Sequence, residues 1–212
     1  MALTLADCIL HVRDLLNESS AAFFTDAELT RFIQQGTLDI STVARCIEAV
    51  GSLTMVTNDP DYSLPTGTID VSHALWLPTR AGLRKITPSL QGEASTDLTG
   101  SVPLRYYIWS SLCYIEPVPN STANGQTVGI YYSLATQDVT LLPDSYQLLA
   151  IHYACYRAKL KDHRYQEATV LYSEYANALA LRKVDINARP AQAEHDVKFA
   201  MMAQPVGGQG RG

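Results

Sequence analysis

Apolar residues recur at three-and-four spacing near the start of the chain, where Leu5, Cys8, Ile9, Val12, Leu15 and Leu16 fall along one side of a helix and charged groups along the other. Thr4 is placed to cap that helix, with Asp7 at its third position. The same device returns at Thr25 and Glu28, a T-x-x-E capping box. From there Leu29, Phe32, Ile33, Ile40, Val43, Ile47 and Val50 continue an apolar stripe and predict a single helix of about six turns. Gln34, Gln35 and Gly36 interrupt it. A glycine inside a helix costs roughly 1 kcal/mol relative to alanine, so Gly36 implies that a neighbouring backbone or side chain comes close there.

After Gly51 the period shortens. SLTMVT, DYSLP, TIDVSHALWLP, LRKIT, LRYYIWSS, LCYIEPVP and TVGIYYSLA are short, rich in β-branched and aromatic residues, and separated by turn-forming clusters of Asn, Asp, Pro and Gly. They predict an antiparallel β region. Helical spacing resumes at PDSYQLLAIHYACYRAKLKDHR, with Asp144 as the expected cap, and again at YQEATVLYSEYANALALRKVD. Beyond residue 187 the periodicity fails, and AQPVGGQGRG cannot offset its ordering entropy by burying apolar surface. The expected fold class is therefore α+β. About four helices from both chain ends form a bundle (1–51 and 141–186), an antiparallel β-sandwich-like lobe is inserted between them (52–140), and 187–212 is an extended tail.

With 212 residues, 47% of them hydrophobic, the chain can bury a core without metal or disulfide staples. Its net charge of −5 argues against a free-standing nucleic-acid binder, which would carry a basic face. Asp7, His11, Arg13, Asp14 and Glu18 break up the opening residues, so they do not read as a signal peptide, and no apolar run is long enough to span a membrane. Cys8, Cys46, Cys113 and Cys155 are isolated among apolar neighbours and read as buried reduced thiols.

His152 and His163 lie about three helical turns, or roughly 16 Å, apart, too far to share an ion, and Asp162, His163 and Glu167 read as a solvated helix end. His73, in a strand beside Trp76, lacks an acidic neighbour at strand spacing. Neither a nucleophile elbow nor a phosphate-binding glycine loop is present, and Gly125 to Gly129 fall inside a hairpin. The expectation is a protein without enzymatic activity, cofactor or metal. Twelve tyrosines are the conspicuous excess. They suit a core and a protein interface; the alternative is a carbohydrate- or host-binding module using a Tyr-rich β lobe.

Several segments fit one pattern when taken in order. LADCILHVRDLLN is followed by FFTDAELTRFIQQGTLDI, then YSLP, VPLRYYIW, LCYIEPVP and LLPDSYQLLAIHYACYRA. This succession, over about residues 3–185, resembles the head-to-tail adaptor proteins of tailed bacteriophages, the group that includes tail tubular protein A of short-tailed phages. The resemblance implies a structural virion protein made in the host cytoplasm and placed at the neck between head and tail. It implies a homo-oligomeric ring, a dodecamer, bound beneath the portal protein and docking a tail nozzle or other tail component. Genomic DNA would pass through the ring's channel without sequence-specific binding, which the acidic balance suits because few cations would grip phosphates. A ring subunit must bury a second helix face against its neighbour, which makes Gln34, Gln35 and Gly36 the expected subunit interface. In the tail, Val197, Phe199, Met201 and Met202 form the expected portal-binding cluster, with Phe199 as anchor.

Overall fold

The computed structural model describes residues 3–18, 23–87 and 99–187. Among these residues are four α-helices and nine strands, with two helices before the strands and two after. Helix α1 (Leu5–Leu16) opens as its sequence predicts: Thr4 Oγ1 accepts the Asp7 N–H at 3.2 Å and Asp7 Oδ2 accepts the Thr4 N–H at 2.9 Å. Thr25 and Glu28 reciprocate in the same way at the start of α2 (Asp26–Ala44).

The apolar stripe predicted that this second helix continues to Val50, and the structure corrects it. Arg45 adopts a left-handed conformation (φ 51°) and ends the helix at Ala44. Strand β1 (Glu48–Thr54) then begins, so the β region starts earlier than residue 52 and Val50 lies in a strand, 67% exposed. Ile47 and Val50 are β-branched and suit either pattern by spacing; pairing with a long partner strand decides for extended structure. A second correction concerns Asp144. Pro143 occupies the cap position of α3 (Asp144–Lys161) without a side-chain bond, and Asp144 is the first helical residue, where its carboxylate favours the positive end of the helix dipole. Helix α4 (Tyr165–Asn187) completes the set.

Helices α2 and α3 pack together, and α1 and α4 each pack on both of them with little contact between themselves. One core draws on all four, including Val12, Leu29, Ile33, Ile40, Ile151 and Leu179. Gly36 sits in this contact as its sequence position implied: a Cβ there would lie 2.9 Å from Tyr153 Cβ on α3. Hydrogen bonds fix the helix directions. The Leu3 N–H donates to Gln147 Oε1 (2.7 Å) and the Tyr146 hydroxyl to the Arg182 carbonyl (3.4 Å), while Lys161 Nζ meets Glu28 Oε1 (2.6 Å) at the opposite end. The start of α1, the start of α3 and the later part of α4 therefore share the end of the helical layer from which α2 runs into the sheet.

Each stretch read as β contributes a strand. After β1 come β2 (Asp61–Ser63), β3 (Thr68–Trp76), β4 (Ala81–Lys85), β5 (Thr99–Gly100), β6 (Arg105–Trp109), β7 (Leu112–Glu116), β8 (Val118–Pro119) and β9 (Thr127–Leu134). Seven of them form one sheet in the order β1-β9-β3-β4-β6-β7-β2, and β5 pairs with β8. The expectation of an antiparallel sandwich is corrected on two counts. Strands β4 and β6 run parallel through Arg84↔Arg105 and Lys85↔Tyr106, a pairing that two strands joined by a hairpin cannot make. The sheet is also a single curled, nearly closed layer. Its inner face surrounds Val71, Trp76, Tyr106, Ile115, Val128 and Ile130. A Cβ on Gly51, in edge strand β1, would lie 3.1 Å from Pro65, just past β2 at the other edge.

Sheet and helices meet where β9 ends. Leu134 N–H donates to the Ile47 carbonyl at 2.9 Å, and the Thr136 N–H donates to Ser41 Oγ of α2 at 3.1 Å. A 3-10 turn, Val139–Leu141, then leads into α3.

Candidate assembly surfaces

The residues weighed for chemistry do not converge. His152 is half-buried in α3, whereas His163 is exposed in the α3–α4 turn (φ 60°) with its Nδ1 3.0 Å from the Tyr165 hydroxyl. Glu167 pairs with Lys159 at 2.7 Å and Arg164 at 3.4 Å, and the Lys159 hydrogen bond holds its carboxyl below the ordinary range. His73 lies exposed on β3 opposite Tyr131. Among the described residues no group of three His, Cys, Asp or Glu side chains is placed to hold a metal ion. All four cysteines are free. Burial pushes the Cys8 and Cys46 thiols up to about 11 and those of Cys113 and Cys155 up to about 12, so they stay protonated at neutral pH and are poor nucleophiles.

The tyrosine excess divides between two packings. In the sheet, Tyr62, Tyr106, Tyr107 and Tyr132 are buried, and the widely exposed aromatics are Tyr131 and Trp109. Between α3 and α4, Tyr153, Tyr156, Tyr172 and Tyr175 stack with ring centroids 5.0 to 6.2 Å apart. Tyr175 also donates to Asp39 Oδ2 of α2, and burial together with that carboxylate pushes its hydroxyl far above the usual phenol range. Most of these rings are structural, which leaves the sheet little aromatic face on which a sugar could stack.

The expected interface residues fall in three environments. Gln35 is exposed. Gln34 is half-buried and lines a cleft of about 420 Å³ with Leu5, Thr136, Gln137, Asp138 and Val139. Gly36 is buried beneath Tyr153 of the same chain. Exposed apolar groups are spread over the helices and the sheet, among them Leu10 and Leu15 of α1, Leu38 of α2, Leu148 of α3, and Val170 and Leu181 of α4. Val197, Phe199, Met201 and Met202 lie outside the described residues.

Two side chains that shape these surfaces were not singled out by sequence reasoning. By spacing Arg13 is one of the charged groups opposite the α1 stripe, yet it is 7% exposed. Its guanidinium meets Glu18 (3.2 Å), Asp26 (2.6 Å) and the Phe24 carbonyl (2.9 Å), closing the α1–α2 corner. Gln147, 1% exposed, donates to the carbonyls of Val139 and Leu142 and accepts from Leu3, so one amide fixes the 3-10 turn and the chain's first described residue. The available signal was Arg13 directly beside Val12, and a glutamine between Tyr146 and Leu148 in an otherwise apolar turn.

Taken together, the helical layer and curled sheet carry packing, clamps and exposed apolar flanks, the features of an assembly component. The SU10 adaptor protein family model matches residues 3–196, and the chain belongs to that family of structural phage adaptor proteins. It is accordingly a virion component that associates with other phage head and tail parts. No curated protein matches the chain. Among the described residues no helix is long and apolar enough to cross a membrane.

Proposed function

We propose that this adaptor forms a ring, a dodecamer, beneath the portal, extends the DNA channel and docks the next tail component. The family match across residues 3–196 carries the reading. Further support comes from helical flanks bearing exposed leucine and valine, which a free subunit would leave against water. Gln34 and Gln35 belong to the subunit interface; Gly36 supports it from below by letting α2 close on Tyr153. The net charge of −5 suits a channel through which DNA slides. The likeness to tail tubular protein A of short-tailed phages belongs to the same proposal.

Val197, Phe199, Met201 and Met202 act as the portal anchor. Residues 188–212 could extend roughly 80 Å at about 3.3 Å per residue, enough to reach a neighbouring ring. The test is native mass spectrometry of the full-length chain alone and with portal rings of the same phage. A cyclic oligomer, free or seated on the portal, is expected; a monomer that leaves portal rings bare overturns the reading. Deleting residues 190–212, or Phe199→Ala, should weaken retention on portal while leaving the folded subunit intact. Equal retention removes the tail from the proposal and leaves the ring.

A further inference from the structure

The outer stripe of α4 runs Val170, Glu174, Asn177, Leu181, all exposed, at the i, i+4, i+7, i+11 spacing of one helix face. Val170 and Leu181 are 58% and 72% exposed. Beside this stripe, Ser173 and Thr169 spend their hydroxyls on their own helix, donating to the Thr169 and Tyr165 carbonyls at 3.0 and 2.8 Å. Glu174 is thus the charged member of this four-residue stripe, and no described cation pairs with it.

A second stripe has a matching order. On α2, Arg31, Gln34 and Leu38 follow one another at i, i+3 and i+7. Arg31 has no described carboxylate partner and only rests over the Phe32 ring at 5.9 Å. Glu174, Asn177 and Leu181 show the same spacing: a charge, an amide and a leucine, with the charge reversed. The two stripes cannot meet within one chain. Asp39, on the side of α2 facing α4, binds Tyr175, whereas Gln34 lies on the other side in the cleft beside Leu5 of α1.

The geometry points to a head-to-tail contact between copies in which Glu174, Asn177 and Leu181 of one subunit pack on Arg31, Gln34 and Leu38 of the next. The inference rests on the ring reading above and names the faces that build it. Charge complementarity selects the occupant, since Arg31 and Glu174 are each left without an opposite charge among the described residues of the single chain, and the match requires the two helices to run in the same direction. Such a contact is heterologous, using a different patch on each subunit, so it propagates and closes by rotation. Within a chain Tyr175 is level with Asp39; pairing Glu174 with Arg31 shifts the next copy about seven residues along α2, roughly 10 Å at 1.5 Å per residue. The helices are therefore inclined to the ring axis.

Charge reversal tests this directly. Glu174→Arg and Arg31→Glu, made in separate full-length chains, should each raise the concentration for half-assembly at least tenfold, because like charges then face each other at every contact. Circular dichroism checks that each remains folded, as surface substitutions should. An equimolar mixture of the two variants should regain assembly, because each contact in an alternating ring again joins opposite charges. The chain carrying both substitutions should also assemble. Single variants that assemble like the original chain, or a mixture that does not recover, overturn the assignment of faces while the ring stands. If the unmodified chain assembles neither alone nor on portal rings, the ring reading fails and takes the inference with it.

Discussion

The helical layer and the curled sheet bury comparable cores by different means. In the sheet the buried side chains are hydrophobic, and adjacent strands fix their register through the backbone ladder. In the helical layer, by contrast, lie all four of the buried polar or charged side chains among the described residues: Arg13, Thr37, Ser41 and Gln147. Two of these reach far along the sequence. Gln147 holds Leu3, and Ser41 holds Thr136. Alternation of apolar and polar residues is enough to specify the sheet's inner face, whereas helices drawn from opposite ends of the chain need polar fasteners to set where each one stops and how it sits on the others.

The largest effect that could break this contrast is at the α1–α2 corner. Arg13→Met keeps the bulk but takes the guanidinium from the Phe24 carbonyl and from Glu18, whose carboxylate still accepts the Phe23 and Phe24 N–H groups, and should lower the unfolding free energy by about 3 kcal/mol, less than a fully buried ion would cost because Asp26 remains solvated. Urea titration measures it, and a loss below about 1 kcal/mol would mean that the corner is held by packing alone. Next comes Gln147→Leu, similar in size but unable to bond. It strands the Leu3 N–H and the Leu142 carbonyl, while the Val139 carbonyl keeps the Leu142 N–H, and should cost about 2 kcal/mol, with faster hydrogen exchange at Leu3 as its local mark. Gly36→Ala is a closer contest. The new methyl gains about 1 kcal/mol of helix propensity but presses on Tyr153, and overpacking of about 1–3 kcal/mol should leave a small net loss. An unchanged or raised melting temperature would mean that Tyr153 yields.

The smallest effect is expected in the sheet. The Tyr106 hydroxyl is buried without a hydrogen-bond partner among the described residues, and burial raises its pKa to about 12. Tyr106→Phe removes a polar group that the core does not use, so stability should stay level or rise slightly. A marked loss would show that the sheet, too, relies on an internal polar contact.

The same contrast explains what was legible in the sequence. Both capping boxes were readable because their partners lie three residues apart, and the β stretches were readable because period-two alternation is local. The end of α2 was not. Ile47 and Val50 fit the helical stripe, and the stop comes from Arg45 in a left-handed conformation that its sequence does not announce. The parallel β4–β6 pair was hidden for a similar reason: short strands with turn signals suggest hairpins, while the crossover depends on where the chain returns. Gly36 was read correctly as a close approach, although Tyr153 as the approaching group could be known only once α2 and α3 were packed together. Arg13 and Gln147 were missed because their partners are set by tertiary folding.

The first and last side-chain contacts at the ends of the described chain fall on neighbouring residues of α3, Leu3 against Gln147 and Arg182 against Tyr146. The polypeptide is therefore almost a loop that has been left open at one point. Its opposite pole is the tight α3–α4 turn at His163, which is exposed and, among the described residues, carries no long-range hydrogen bond. A circular permutant cut at His163, with residues 3 and 182 joined by a short flexible linker, should keep the far-ultraviolet spectrum of the parent, since every clamp described above survives the cut. Such a chain would begin and end at the pole farthest from the sheet, which makes it possible to ask which pole faces the phage head simply by asking where an added label can no longer be reached.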